Sequence, residues 1–538
     1  MEHKLVELNA GDISVVGKPL HTEYKNILNE YVKNDTRFLK REAARSAGSY
    51  FLHDPKKNRI ITSPGYVGGY LTEDFACTLL RPILDKKDSK SVQFHPALRR
   101  FLKKSYTSFW PYQSIFQSIK RLPPGSVINY KGDISYNPYL RYSEGNFNDA
   151  IEGAVEPLES VEQVTLMYSG GVDSTALYAA LQSINTDVSV VSVDIGPNAN
   201  SVERAVRIGE LIGVDVEPVS YGWPPKNNRV INGVIQQMSH DIVDPFNPHH
   251  AFIPRSEDIV ISGQNFDSVL TGNMGRPQLS ILDHLRATKK ITDVFKHVIP
   301  NVQYTNKYQR STLFQIILSR LISRYNSNWR GVSGKPAYLT GILSSGFPNV
   351  IHDSNSTRSE QIASHLMDNQ NKQLSYLTDI LKHHQYQHNS NKLIGTQDAK
   401  GTSVYLPAMW GPFISRNIGR SRPLREAYRP KPQVYEYVKN KLGVQYENIS
   451  YRSLESYKKE RKESDQYQSK MSPNIIINEM DRINPEKLIS STPNNMVDLM
   501  ENKIDKVMQT KNQRSISREV YSDFFKVLNL SCLLSQKD

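Results

Sequence analysis

The heptapeptide Ser169-Gly-Gly-Val-Asp-Ser-Thr175 gathers the residue types that hold an anion. It follows the apolar run Val164-Thr-Leu-Met-Tyr168 and precedes the helix-forming run Ala176-Leu-Tyr-Ala-Ala-Leu181. A strand, a glycine turn and a helix start therefore coincide. Gly170 and Gly171 let the backbone approach a ligand closely and take positive φ. The hydroxyls of Ser169, Ser174 and Thr175 add donors, and the helix N-terminus adds free N–H groups at the positive end of its dipole. The pattern predicts a phosphate loop. A carboxylate repels phosphate, so Asp173 makes sense there if a Mg²⁺ bridges it to phosphate oxygens. The plain alternative is a glycine-rich turn in which Asp173 caps the helix.

A second acidic motif lies in Ile259-Val-Ile-Ser-Gly-Gln-Asn-Phe-Asp-Ser-Val-Leu-Thr-Gly272. Its apolar start reads as a strand, so Asp267 falls just past a strand end, as Asp173 does. Two carboxylates at the carboxyl ends of parallel strands can share a metal ion. By itself, Asp267 would be a helix cap or a surface carboxylate. Arg416, Arg420, Arg422, Arg425, Arg429 and Lys431 form a basic cluster opposed by Glu426. Such cations offset charge on a leaving group, form a solvated helix face or, third in rank, grip an RNA backbone. His249 and His250, and the set His383, His384 and His388, lack the acidic pattern of a metalloprotease and read as surface histidines.

The elements that must position these groups change character along the chain. Residues 1–145 hold short β-prone runs, Ser49–Pro55, Arg59–Thr62 and Ser126–Tyr130, separated by turns at Asp54-Pro55, Pro64-Gly65 and Lys131-Gly132-Asp133. That texture predicts antiparallel sheet with a few helices, one of them around 95–105. From about residue 160 the runs are short, apolar and continuous: Val164–Tyr168, Val188–Val193 and Ile259–Ile261. They suit strands buried on both faces of a parallel sheet. Helical patterns at 174–184 and 202–212 alternate with them, which predicts a doubly wound α/β domain. Residues 280–390 read as helical and basic. The stretch after 445 is polar and helix-prone, with Tyr457-Lys-Lys-Glu-Arg-Lys-Glu463 its densest charge run. The expected units are 1–148, 149–445 and 446–538.

Composition bounds the rest. A chain of 538 residues is long enough for two or three domains at roughly 150 residues each. Its net charge of +13 fits an anionic partner such as a nucleotide, a nucleic acid or a phosphorylated substrate. Cys77 and Cys532 are the two cysteines, which excludes a disulfide framework and a Cys-based zinc site. Met1-Glu2-His3-Lys4 is followed by no apolar stretch, and no run of about 18 apolar residues occurs. The expectation is a cytoplasmic protein without membrane partners, with a homodimer left open.

Ser169-Gly-Gly-Val-Asp-Ser174 resembles the pyrophosphate (PP) loop of the ATP pyrophosphatases, which break ATP between the α and β phosphates. It is no Walker motif, because the Gly-Lys-Ser/Thr ending is missing. Asparagine synthetases, NAD and GMP synthetases, argininosuccinate synthetase and tRNA thiolases share the loop. The 259–272 segment resembles the asparagine synthetase stretch Leu-Ser-Gly-Glu-Gly-x-Asp-Glu-Leu-Phe-Gly-Gly. Ile115-Phe-Gln-Ser-Ile-Lys-Arg-Leu-Pro-Pro-Gly125 looks like the phrase linking that family's glutaminase and synthetase halves; alone it would be a Pro-Gly turn before a strand. The resemblance spans roughly 45–440. It implies an α+β, N-terminal-nucleophile-hydrolase-like antiparallel domain, then an α/β PP-loop domain with a helical C-terminal extension. It further implies ATP and Mg²⁺ as cofactors. Ser169, Gly170, Gly171, Asp173, Ser174 and Thr175 would hold pyrophosphate, with Ser262 and Gly263 lining AMP. Asp173 and Asp267 would hold Mg²⁺, and Lys431 would be the lysine that stabilises adenylation. The family reads adenine through backbone groups after the next strand, so Val193, in Val190-Val-Ser-Val-Asp-Ile195, is a lining residue by position. As an alternative it is an ordinary core valine.

Two departures refine the reading. Glutamine-hydrolysing members use an N-terminal cysteine as nucleophile; here residue 2 is Glu2 and Cys77 lies mid-chain. Ala47-Gly-Ser-Tyr-Phe-Leu-His-Asp54 still resembles the core strands of those domains, which implies a retained scaffold. Loss of the cysteine beside a kept synthetase half resembles β-lactam synthetases and lasso-peptide cyclases, where the amine comes from the substrate. Gln264 stands where asparagine synthetases carry glutamate; it cannot act as a base but can orient a substrate by hydrogen bonds. The expected activity is a ligase that activates a small-molecule or peptide carboxylate as its acyl-adenylate for attack by ammonia or a substrate amine. An enzyme acting on RNA ranks below it, as does a non-catalytic nucleotide-binding relative.

Overall fold

The computed structural model describes the chain over 6–220, 259–270, 350–351, 403–417, 431–445 and 480–534, with short interruptions inside the first and last spans. The expectations for 280–390, apart from residues 350–351, and for 457–463 lie outside the described residues, as does most of the helix expected at 95–105.

Among the described residues, ten strands precede residue 140: β1 (Val6–Glu7), β2 (Ser14–Leu20), β3 (Ala47–Asp54), β4 (Arg59–Thr62), β5 (Tyr70–Leu71), β6 (Phe75–Cys77), β7 (Ser108–Phe109), β8 (Lys120–Arg121), β9 (Ser126–Asn129) and β10 (Ser135–Pro138). Nine of them form two antiparallel sheets, in the orders β10-β9-β4-β3-β2 and β1-β6-β5-β8. The β3–β4 hairpin closes where the sequence carries Asp54-Pro-Lys-Lys-Asn58. The Lys57 N–H donates to Asp54 Oδ1 at 3.1 Å, and Asn58 takes φ 52°, the left-handed region that asparagine tolerates better than most residues. Helix α1 (Tyr24–Lys33) packs on β2.

The second part is an α/β layer. Strands β11 (Gln163–Met167), β12 (Asp187–Asp194), β13 (Glu217–Ser220), β14 (Ile259–Ser262) and β16 (Ser403–Tyr405) form one parallel sheet, ordered β13-β12-β11-β14-β16. The intervening β15 (Val350–Ile351) pairs instead with β7, also in parallel. Successive strands run outward from β11 to β13, then β14 returns to the other side of β11. Open α/β sheets bind ligands beyond the carboxyl ends of the strands at such a reversal, here those of β11 and β14.

Helix α2 (Phe147–Val155) opens this part, capped by Asn146, whose Oδ1 accepts from the Asp149 N–H at 2.8 Å. Helices α3 (Val172–Leu181) and α4 (Asn200–Ile212) follow β11 and β12, and the short α5 (Phe266–Leu270) follows β14. After β16 come α6 (Gly411–Asn417) and α7 (Pro432–Leu442). Helix α3 is apolar nearly all round, with Ala176, Leu177, Ala179, Ala180 and Leu181 buried, and so must be covered on more than one side. Helix α7 supplies a second cover, setting Val434, Tyr437 and Val438 into the same apolar cluster. Its limits are sequence-coded: Pro432 at the first turn, and Gly443 at φ 70° returning its N–H to Lys439 O.

The last helices are α8 (Pro485–Ser490), α9 (Val497–Met508) and α10 (Arg518–Leu534). Their apolar residues do not form a core of their own. Met496, Met500, Ile504, Phe524, Val527 and Leu528 join one buried cluster with Tyr70, Cys77, Leu80, Phe94, Ile115 and Phe116. The two ends of the chain share a core. Among the described residues, no helix is long and apolar enough to cross a membrane.

Candidate functional site

Strand β11 ends at Met167, and the Tyr168 N–H still donates to Val191 O at 2.8 Å. The chain then turns through Ser169-Gly170-Gly171 into α3, with Gly171 as the capping residue. Gly170 takes φ 63°, and a Cβ there would lie 2.8 Å from the Ala205 Cα and 2.9 Å from Arg204 O. Both are backbone atoms of α4, so only glycine fits. Ser174 draws the turn together: its Oγ donates to Gly171 O at 3.0 Å and lies 3.3 Å from the Ser169 N and Oγ. From outside, Arg204 donates through Nε and Nη2 to Ser169 O, at 2.9 and 2.8 Å.

Parallel pairing sets Met167 opposite Ser262, which brings the second motif beside the loop. A Cβ on Gly263 would sit 3.7 Å from the Ser174 N and 3.9 Å from the Asp173 Cβ, so Gly263 packs directly on the start of α3. Ser262 Oγ accepts from the Gln264 N–H at 3.2 Å, and Asn265 takes φ 73° before α5 begins. Asp267 lies in α5, immediately after this turn; its carboxylate is outside the described residues. Val193 lies near the carboxyl end of β12, the strand next to β11, and its side chain is likewise outside them.

The third contribution comes from far along the chain. Lys431 precedes α7 at φ 59°, ψ 46°. The following proline disfavours right-handed helical geometry at residue 431. This turn leaves the lysine 7 % exposed and sends its ammonium to Asp173, with Nζ 2.5 Å from Oδ2. Of the three described non-glycine residues with positive φ, Asn265 and Lys431 both belong to this site. Sparsely populated backbone conformations concentrate at functional sites.

The loop, Ser262–Gly263 and Lys431 thus lie together at the start of α3. Thr175 differs: it is fully buried, and its Oγ1 shares a 2.8 Å hydrogen bond with the Tyr168 hydroxyl, so it anchors α3 to the strand end rather than lining the turn. Of the basic cluster, Arg416 lies in α6 with its guanidinium against Gly145. Arg420, Arg422, Arg425 and Arg429, and the five singled-out histidines, lie outside the described residues. The residue that sequence reasoning passed over is Arg204; nothing in Ser201-Val-Glu-Arg-Ala205 separates it from any exposed helical arginine. Cys77 is fully buried in the shared core.

No protein-family model matches the chain, and no curated protein matches it.

Proposed function

We propose that the chain is an ATP-dependent ligase of the asparagine synthetase type, forming a carbon–nitrogen bond with release of AMP and pyrophosphate. The observation that carries the reading is the approach of Lys431 to Asp173 at the mouth of a glycine turn between a strand and a helix. It joins the loop to the lysine that the family resemblance implies, 258 positions further along the chain. Asn265 adds support: its positive φ falls where the resembling segment has its second glycine.

The residues fit a magnesium–nucleotide. Glycine at 170 lets the turn fold tightly against α4, and the turn carries the N–H groups at the start of α3 and the Ser169 and Ser174 hydroxyls. Asp173 and Asp267 would hold Mg²⁺, which neutralises charge on the phosphate oxygens when bound. A substrate carboxylate oxygen attacks the α-phosphorus, the bond to the β-phosphate oxygen breaks, and the loop binds the departing pyrophosphate. Lys431 carries positive charge next to the loop and stabilises the negative charge that develops as that bond breaks. An amine nitrogen then attacks the activated carbonyl carbon, the bond to AMP breaks, and the nitrogen loses its proton to solvent. Gln264 cannot accept that proton, so its part is to orient the substrate by hydrogen bonds. The burial of Cys77 favours free ammonia or a substrate amine over glutamine as nitrogen source.

Mass spectrometry of the products from ATP, Mg²⁺ and a metabolite extract tests the reading. AMP, pyrophosphate and a new amide are expected. ADP and phosphate as the principal products would overturn it.

A further inference from the structure

We propose that Arg204 is a positioning residue, whose guanidinium fixes the Ser169–Gly170 peptide in the orientation in which the loop binds pyrophosphate. The proposal rests on the reading above that this loop binds the pyrophosphate portion of ATP. Arg204 and Ser169 are 35 positions apart, yet Nε and Nη2 both donate to the Ser169 carbonyl oxygen, at 2.9 and 2.8 Å. A carbonyl has two lone pairs and here receives two charge-assisted hydrogen bonds, which are the stronger kind.

The consequence follows from peptide geometry. In a planar trans peptide the C=O and the next N–H point to opposite sides. Holding the Ser169 oxygen on the α4 side therefore turns the Gly170 N–H away from α4. Without the clamp, the alternative orientation is cheap, because glycine accepts either sign of φ. The flipped peptide would present a carbonyl oxygen where an anion must bind.

A second observation ties the same turn of α4 to the loop. The Arg204 oxygen and the Ala205 backbone stand where a Gly170 side chain would be, so this turn is the wall on which the loop folds. Ala205 is fully buried, whereas Arg204 is exposed. Packing rests on one residue and peptide orientation on its neighbour.

Calorimetric titration of the full chain with magnesium pyrophosphate tests the assignment. Arg204→Ala should bind on the order of ten- to a hundredfold more weakly, the loss of two charge-assisted hydrogen bonds. Its melting temperature without ligand should stay close to that of the wild type. Arg204→Lys should recover only part of the affinity, because an ammonium is a point charge without the guanidinium fork. Low-millimolar guanidinium chloride should strengthen binding by Arg204→Ala and leave the wild type unchanged. Wild-type affinity in Arg204→Ala would refute the positioning role and leave the phosphate-loop reading standing. A loss of affinity that only tracks a fall in melting temperature, without rescue by guanidinium, would refute it too. A wild type that does not bind pyrophosphate would remove the loop reading itself, and the role of Arg204 with it.

Discussion

Lys431 Nζ and Asp173 Oδ2 stand 2.5 Å apart across 258 positions of sequence, with the lysine side chain 8 % exposed and the aspartate 19 %. Two devices make the contact. The glycine turn starts α3 so that Asp173 falls in its first turn, and Pro432 starts α7 so that Lys431 must leave helical geometry just before it. The packing of α7 along α3 then fixes their separation. A cation beside the glycine turn, held by a carboxylate in the first turn of α3, is a preorganised electrostatic arrangement.

The pair should act as a unit. Asp173→Asn and Lys431→Met should each lower AMP formation on the order of a thousandfold. The double variant should be no slower than the slower single one, because removing either partner already disables the pair. Stability should follow a different pattern. Each single variant leaves a partly buried charge without its partner and should lose about 1–3 kcal/mol, part of which the double variant regains. Urea titration alongside the AMP assay checks both. Near-wild-type turnover by Lys431→Met would remove it from the chemistry.

Gly170 and Gly171 should respond differently to alanine, although the sequence presents them alike. Gly170 has positive φ and would press a Cβ to within 2.8 Å of α4 backbone. Gly171 sits at φ −80°, and its Cβ would meet nothing closer than Ser169 Oγ at 3.2 Å. Gly170→Ala should therefore cost several kcal/mol or displace the loop, combining left-handed strain of about 1–2 kcal/mol with a backbone clash. Gly171→Ala should stay within about 1 kcal/mol of wild type. Thermal unfolding of the two variants separates them directly. Equal destabilisation would mean that α4 does not wall the loop.

The sequence exposes the parts of this site that depend on local pattern. Val164–Tyr168 and Ile259–Ile261 are apolar on both faces, so their burial in a parallel sheet is written in consecutive residues, and the glycine turn between strand and helix is likewise local. Thr175 is less legible for a local reason too: a hydroxyl next to a glycine turn reads as a ligand donor, and only the fold shows that it shares a hydrogen bond with the Tyr168 hydroxyl. Arg204 was invisible because its role depends on helix α4 docking against a turn 35 residues earlier. The C-terminal helices were harder still. Their charge-rich exposed faces dominate the composition, whereas the apolar stripe that enters the 70–119 core becomes meaningful only once both ends of the chain are in place.

That shared core predicts an unusual dependence. Phe524 and Leu528 are fully buried among residues from both ends of the chain. Phe524→Ala and Leu528→Ala should each cost about 2–5 kcal/mol through lost burial and the cavity left behind. Deleting residues 480–538 should expose Tyr70, Leu80, Phe94 and Phe116 and open the 70–120 region to protease. Limited proteolysis with peptide mapping gives the answer. Protection of 70–120 in the truncated chain would show that the N-terminal part closes its own core.

The same helices carry a buried charge whose effect has a defined sign. Lys526 on α10 is 3 % exposed, and burial lowers its pKa from 10.5 to about 8; Asp523 opposes the shift and Lys503 adds to it. Asp523 is itself 2 % exposed and already holds Lys503, with Nζ 2.7 Å from both carboxylate oxygens, and Lys506 at 3.5 Å. One carboxylate therefore faces three ammonium groups. Between pH 8 and 10.5 the unfolded chain binds more protons at residue 526 than the folded chain does, so this group makes stability rise with pH across that window. Below pH 8 both states are protonated and the full destabilisation is present. Lys526→Met removes the charge, keeps most of the volume, and leaves Asp523 paired with Lys503 and Lys506. It should stabilise the protein by on the order of 1–3 kcal/mol at pH 7, and the difference from wild type should shrink towards zero as pH approaches 10.5. Urea titrations of both proteins at pH 7, 8.5 and 10 measure that difference directly, and other titrating groups cancel in the comparison. A variant less stable than wild type at pH 7 would mean that the Lys526 ammonium contributes more through Asp523 than its burial costs.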